Sequence, residues 1–178
     1  KNQADSKAKS ILGWLDQHLR PQGSWNDKRV ILFTEYRATQ SWLEEILASH
    51  GFTDDRLRCI NGGTPSDERE QIKAAFQAQP KASKIRILLA TDAASEGIDL
   101  QNHCNYMIHV EIPWNPNVME QRNGRIDRHG QKQKEVLIWH PVGKGFVAQS
   151  DPTLKPGSVS GDQEYLMRAV QKINSIRE

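Results

Sequence analysis

Cysteine is scarce in this chain, with only Cys59 and Cys104 among 178 residues. Two thiols cannot build a disulfide framework, and they suit a reducing compartment. His103 stands beside Cys104, but no second Cys/His cluster follows, so no metal site is expected. Charge of one sign is also missing: 24 basic residues against 22 acidic ones leave a net charge of +2. A global basic field is thereby excluded, and any nucleic-acid site must be local. No apolar run reaches membrane-spanning length and no signal peptide opens the chain. No membrane partner is therefore expected, and a cytoplasmic location is. The opening KNQADSKAKS lacks a methionine and reads as a cut from a longer polypeptide. Internal repeats are absent too.

What the chain does contain is apolar patterning of two kinds. Ala8, Ile11, Leu12, Leu15 and Leu19 recur at helical spacing and stop before Pro21. RVILFT (29–34) is a short β-branched run of strand length, expected to be buried on both faces. Thr39 is placed to cap a helix carrying Leu43, Ile46 and Leu47, which Gly51 should end. RLRCI (56–60), IRILLA (85–90), NYMIHV (105–110) and EVLIWH (135–140) complete five strand candidates, with a helix carrying Ile72, Ala75 and Phe76 between two of them. Such alternation predicts an α/β fold with a parallel sheet covered on both faces. Residues 141–161 are rich in glycine and proline and read as a mobile excursion. A last helix is expected over 162–178, with Leu166, Val170 and Ile173 on one face.

In parallel sheets, ligands gather beyond the carboxyl ends of the strands, and three loops there are unusual. NGGTPSDERE (61–70) follows the second strand and carries Arg69 in the next helix. TDAASEGIDLQ (91–101) follows the third; its small residues let backbone approach a ligand, Asp99 can accept from sugar hydroxyls, and the Thr91 and Ser95 hydroxyls can serve phosphates. The fourth leads through EIPWNPN into MEQRNGRIDRHGQ (119–131), which holds three arginines and two glycines. Helical periodicity is expected there. Gln121, Arg125 and Arg128, at i, i+4 and i+7, would then share one face suited to a polyanion. Residues 122–134 hold three arginines and two lysines against one acid, Asp127. Each loop alone admits a bland reading, as turn chemistry or solvated charge.

Together and in this order, the segments resemble the second RecA-like lobe of superfamily 2 helicases and translocases. VILFTEYRAT looks like their motif IV and INGGTPSDEREQIKAAF like the helix signature that follows it. LLATDAASEGIDLQ matches motif V, and QRNGRIDRHGQ matches motif VI. The resemblance spans about residues 28–140. Gly130-Gln131, with PWNP ahead of the helix, is similar to the Swi/Snf type, and SEG with EQRNGRIDRHGQ to its bacterial HepA/RapA branch. DEAD-box RNA helicases usually carry arginine at Glu96 and histidine at Gln121.

The resemblance implies a three-layer α/β/α domain over residues 1–140, with a mainly parallel sheet and a leading helix and loop over 1–27. It implies arginine fingers at Arg125 and Arg128, and nucleotide contacts from Gln121, Gly97 and Asp99. Thr91, Gly63, Thr64 and Arg69 would face nucleic acid, and Arg122 would join lobe packing or a carboxylate. ATP and Mg²⁺ are the implied cofactors, both bound mainly by an N-terminal RecA-like lobe of the same polypeptide. The other implied partners are DNA, double-stranded in this family, and a larger protein complex. A phosphate loop of the form Gly-x-x-x-x-Gly-Lys-Ser/Thr is missing; the only Gly-Lys is Gly143-Lys144, followed by Gly145. DERE (67–70) mimics an acidic helicase box but should open a helix rather than close a strand. The chain is therefore expected to be an ATP hydrolase only as part of a full-length motor, and inactive alone. Two alternatives stand beside this one: an RNA helicase lobe and a non-catalytic nucleic-acid-binding module. A methyltransferase or dehydrogenase would need a glycine-rich loop after the first strand, where EYRATQ has no glycine.

Overall fold

The computed structural model describes residues 5–53, 55–95, 99–113 and 115–141. Gly97, most of the expected excursion and the expected final helix lie outside the described residues. Helix α1 (Ser6–Leu19) opens on Asp5, whose carboxylate accepts from the Ala8 amide at 2.8 Å, and it buries all five of the apolar residues that predicted it. The chain then enters strand β1 (Val30–Thr34), which is buried throughout. Helix α2 (Arg37–Ser49) starts earlier than expected, with Tyr36 rather than Thr39 at its N-cap. Its first backbone bond runs from the Gln40 amide to the Tyr36 carbonyl at 3.0 Å, and the buried Gln40 side chain donates to the carbonyls of Ile60 and Leu89 at 3.0 and 2.9 Å. Gly51 ends α2 as expected, at φ +80°.

Strand β2 (Leu57–Ile60) leads to helix α3 (Ser66–Gln77), with Asp67 and Glu68 in its first turn, where carboxylates favour a helix N-terminus. DERE therefore opens a helix. Strand β3 (Ile87–Thr91) runs directly into the single turn α4 (Asp92–Ser95). Strand β4 (Tyr106–His109), helix α5 (Pro116–Asn123) and strand β5 (Leu137–Trp139) follow.

The five strands form one sheet in the order β2-β3-β1-β4-β5, with every pair parallel. Strand alternation sends Val30 and Leu32 to one face, where α1 and α2 cover them, and Ile31 and Phe33 to the other, against Ile72 and Phe76 of α3. This is the expected three-layer α/β/α arrangement. The amino end of the sheet is closed by two buried arginines. Arg29 donates to the carbonyls of Ile85, Phe76 and Ala78, and Arg86 to those of Asn26 and Pro80. The carboxyl end is the open one. No helix among the described residues is long and apolar enough to cross a membrane.

Candidate functional site

Beyond β2, Asn61 organises the glycine loop. Its side chain accepts from the Gly63 amide at 2.9 Å, its own amide donates to the Thr64 hydroxyl at 2.9 Å, and its Nδ2 reaches Gln40. Arg69 turns toward this loop, with Nη2 3.5 and 3.4 Å from the carbonyls of Asn61 and Thr64. Gly63, Thr64 and Arg69 are thus brought together, with Arg69 bracing the loop from inside. Gly62 faces α4: a Cβ there would lie 3.3 Å from Cβ of Ala93. The glycine loop and the start of the next loop therefore share one rim.

Thr91 closes β3 rather than opening the loop, paired in register with Thr34 at the end of β1. It is buried, and its hydroxyl has no partner among the described residues. The next residue, Asp92, receives Arg122 in a two-pronged pair, Nε and Nη2 each 2.6 Å from a carboxylate oxygen. Arg122 is 1% exposed, so the expectation that it joins a carboxylate holds. Its Nη1 also donates to the Glu111 carbonyl at 2.9 Å and approaches Nδ1 of His109 at 3.2 Å. Because a guanidinium only donates, Nδ1 accepts and the imidazole proton sits on Nε2. That Nε2 lies 2.9 Å from Oδ1 of Asn123. His140 stacks on His109 at 4.8 Å. Burial, aided by His140 and Arg122, pushes the His109 imidazole down to about 3. Burial and Arg122 push His140 down to about 4. Glu111 accepts from the Thr34 hydroxyl and the Glu35 amide, so three strand ends are knitted to α5.

The expected helical face carrying Gln121, Arg125 and Arg128 does not form. Helix α5 ends at Asn123, with Gly124 as its C-cap. Arg122 and Asn123 are held by the strand ends, and the Asn123 carbonyl accepts from the amides of both Ile126 and Asp127. The chain therefore closes into turns where periodicity alone would extend a helix. A Cβ on Gly124 would sit 3.3 Å from the Glu120 carbonyl, which suits glycine to the closing turn. Gln121 stays exposed on α5, whereas Arg125 and Arg128 ride the turns after it.

Those turns are stapled to the loop after β3. The Leu100 amide donates to the Arg125 carbonyl at 3.1 Å, Gln101 Nε2 to the His129 carbonyl at 3.3 Å, and Arg128 pairs with Asp99. Asp99, Arg125 and Arg128 are therefore gathered by loop contacts rather than by a helix. Nε of Arg125 is buried with no partner among the described residues, as are Nε of Arg69 and Oε1 of Gln101. Buried polar atoms are normally satisfied, so this rim holds hydrogen-bonding capacity for a ligand. An anion would suit the two guanidinium groups. No group of three or more His, Cys, Asp and Glu among the described residues is placed to hold a metal.

Sequence reasoning overlooked Asp92, His109, Glu111, Asn123 and His140. The signal was present in YMIH (106–109): a titratable residue at the end of a fully buried strand needs partners, and those partners mark a network.

The model of the helicase conserved C-terminal domain matches residues 12–130. The chain is 42% identical over 123 residues to an uncharacterized ATP-dependent helicase, YqhH, of Bacillus subtilis, covering 69% of this chain and 20% of that protein. It is 35% identical over 139 residues to the human SWI/SNF-related matrix-associated actin-dependent regulator of chromatin subfamily A member 1, covering 78% of this chain and 12% of that protein. The chain thus spans a fifth or less of the length of these relatives. Among solved structures it resembles the C-terminal part of the Fun30 ATPase domain, with a TM-score of 0.66 at 22% identity, over 79% of this chain and 42% of that one.

Proposed function

Because the chain belongs to the helicase conserved C-terminal domain family, in its Swi/Snf-like branch, we propose that residues 1–140 form the second motor lobe of an ATP-dependent DNA translocase. In this reading Arg125 and Arg128 are arginine fingers that reach the γ-phosphate of ATP held by an N-terminal RecA-like lobe. During phosphoryl transfer, negative charge spreads over the equatorial phosphate oxygens, and a fixed guanidinium stabilises it. Asp99, Gly97 and Gln121 face the nucleotide, while Thr91, Gly63, Thr64 and Arg69 lie toward nucleic acid. The N-terminal lobe supplies the phosphate loop and the carboxylates for Mg²⁺.

The observation that carries this reading is the Arg125 guanidinium, whose Nε is buried without a partner among the described residues, on a turn tied to Leu100 through its own carbonyl. An arginine kept only for stability would be satisfied within the fold, as Arg29 and Arg86 are. The Arg128–Asp99 pair is exposed on both sides, at 41% and 55%, so it exchanges readily for a phosphate and a ribose.

The test is ATP turnover by the intact protein with duplex DNA, single-stranded DNA and RNA, for wild type and Arg125→Ala. Stimulation chiefly by duplex DNA is expected. Arg125→Ala should lower turnover by about 10³-fold while leaving DNA binding intact. Stimulation by RNA instead would keep the motor but replace its track. If Arg125→Ala only loosens DNA, the chain is a binding module without catalytic duty.

A further inference from the structure

We propose that His109 and Asn123 are positioning residues that set the orientation of Arg125 toward the nucleotide. The inference rests on the motor-lobe reading above. His109 ends β4, which lies inside the sheet between β1 and β5, and it is 0% exposed. Both of its ring nitrogens are engaged, one by Arg122 and the other by Asn123. Asn123 is the last residue of α5. Its side chain is anchored on the sheet, and its carbonyl accepts from the amides of Ile126 and Asp127, closing the turn that contains Arg125. The Arg125 amide in turn donates to the Arg122 carbonyl at 3.0 Å. The backbone that leads from α5 to Arg125 therefore leaves from a residue hydrogen-bonded to His109, while Leu100 holds the turn from its other side.

The chemistry of the pair argues for orientation rather than adhesion. Two apolar side chains here would bury similar surface without desolvating an imidazole and an amide. They would also supply no directional restraint at the last residue of α5, because apolar contact is not directional; Arg122, through Asp92, restrains the helix only one residue earlier. The hydrogen bond from His109 adds that restraint at Asn123 itself. It acts one residue before the helix closes, where a small change in angle is carried into the turn. Misplacing a catalytic group by about 1 Å can cost roughly 10²-fold in rate.

The experiment compares ATP turnover, ATP KM, nucleic-acid affinity and thermal melting of the intact protein for several variants. Asn123→Ala should lower kcat by about tenfold, with KM and nucleic-acid affinity within about twofold of wild type. His109→Gln, which keeps one donor and one acceptor, should retain most of the turnover, whereas His109→Leu should behave like Asn123→Ala. The decisive background is Arg125→Lys, whose flexible ammonium gains little from being aimed. There Asn123→Ala should cost clearly less than it does beside Arg125. An equal cost in both backgrounds, or a kcat loss that merely tracks the folded fraction, would overturn the proposal. So would an unchanged kcat in Asn123→Ala; if that variant does not fold, the comparison of His109→Gln with His109→Leu decides. Wild-type turnover in Arg125→Ala would sink the motor-lobe reading itself, an outcome separate from all of these.

Discussion

Arg122 and Asp92 show how a charge can be held inside the rim of a sheet. The guanidinium is almost wholly buried and gives its fork to a carboxylate that is 28% exposed; the Phe33 ring, 5.6 Å away, forms one wall. Breaking such a pair from one side leaves the other charge without compensation. Asp92→Ala is therefore expected to destabilise the fold by about 3 kcal/mol, read as a lower midpoint in urea. His109 and His140 set the pH dependence. Both are held near 3 and 4, below the ordinary 6.5, mainly by burial. Each is neutral when folded at neutral pH, and the unfolded chain takes up protons first as pH falls through about 6.5. The unfolded state then binds more protons, so stability falls from about pH 6.5 toward pH 4. Melting temperature measured over that range should drop more steeply in wild type than in His109→Gln; parallel curves would mean that the imidazole does not contribute.

At the scale of elements, α5 is the helix whose limits matter most. It has eight residues, too few to be stable alone. Asn115 starts it by accepting from the Asn117 amide at 2.9 Å, and Pro116 fits the first helical position. Asn115→Ala should cost about 1 kcal/mol, seen as a melting temperature a few degrees lower, with the same secondary structure by circular dichroism. The other end of α5 marks the limit of what the sequence reveals. Apolar periodicity located α1 residue by residue because burial set its phase. Strands β1, β3 and β4, buried throughout, were legible for the same reason, while the partly exposed β2 and β5 were legible from their apolar runs. Spacing also suggested one helical face for Gln121, Arg125 and Arg128. The helix stops short of that because Arg122 and Asn123 bond to residues from β4 and from the ends of β3, far away in sequence. At the start of α2, Gln40 likewise bonds two carbonyls distant in sequence, contacts that spacing does not reveal. Arg125 and Arg128, grouped by their spacing, lie on the same turns after α5, where Arg128 pairs with Asp99 and the Arg125 carbonyl accepts from Leu100. Contacts between two loops, not helical spacing, bring these residues together.

For the molecule as a whole, the two ends of the sheet differ in a way that predicts a division of labour. At the amino end, two guanidinium groups are spent on carbonyls of the chain itself, and burial together with the neighbouring Arg86 lowers Arg29 to about 10. That end is sealed. At the carboxyl end, polar atoms of Thr91, Arg125, Arg69 and Gln101 remain buried without partners among the described residues. Donors dominate there, which suits phosphates. Nothing in the sequence supplies the other requirement, a phosphate loop with its lysine and a carboxylate set for Mg²⁺. Donors that stabilise developing charge do not by themselves bind nucleotide tightly or orient the attacking water. A purified polypeptide of these 178 residues should therefore hydrolyse no ATP above the uncatalysed background, with or without duplex DNA. Its local basic cluster should still give weak DNA binding that falls steeply with salt. Phosphate release assayed on that polypeptide at saturating ATP decides the point. Turnover near 1 per second or more, roughly the lower range for enzymes, would mean that the chain completes an active site by itself and that the half-motor reading is wrong.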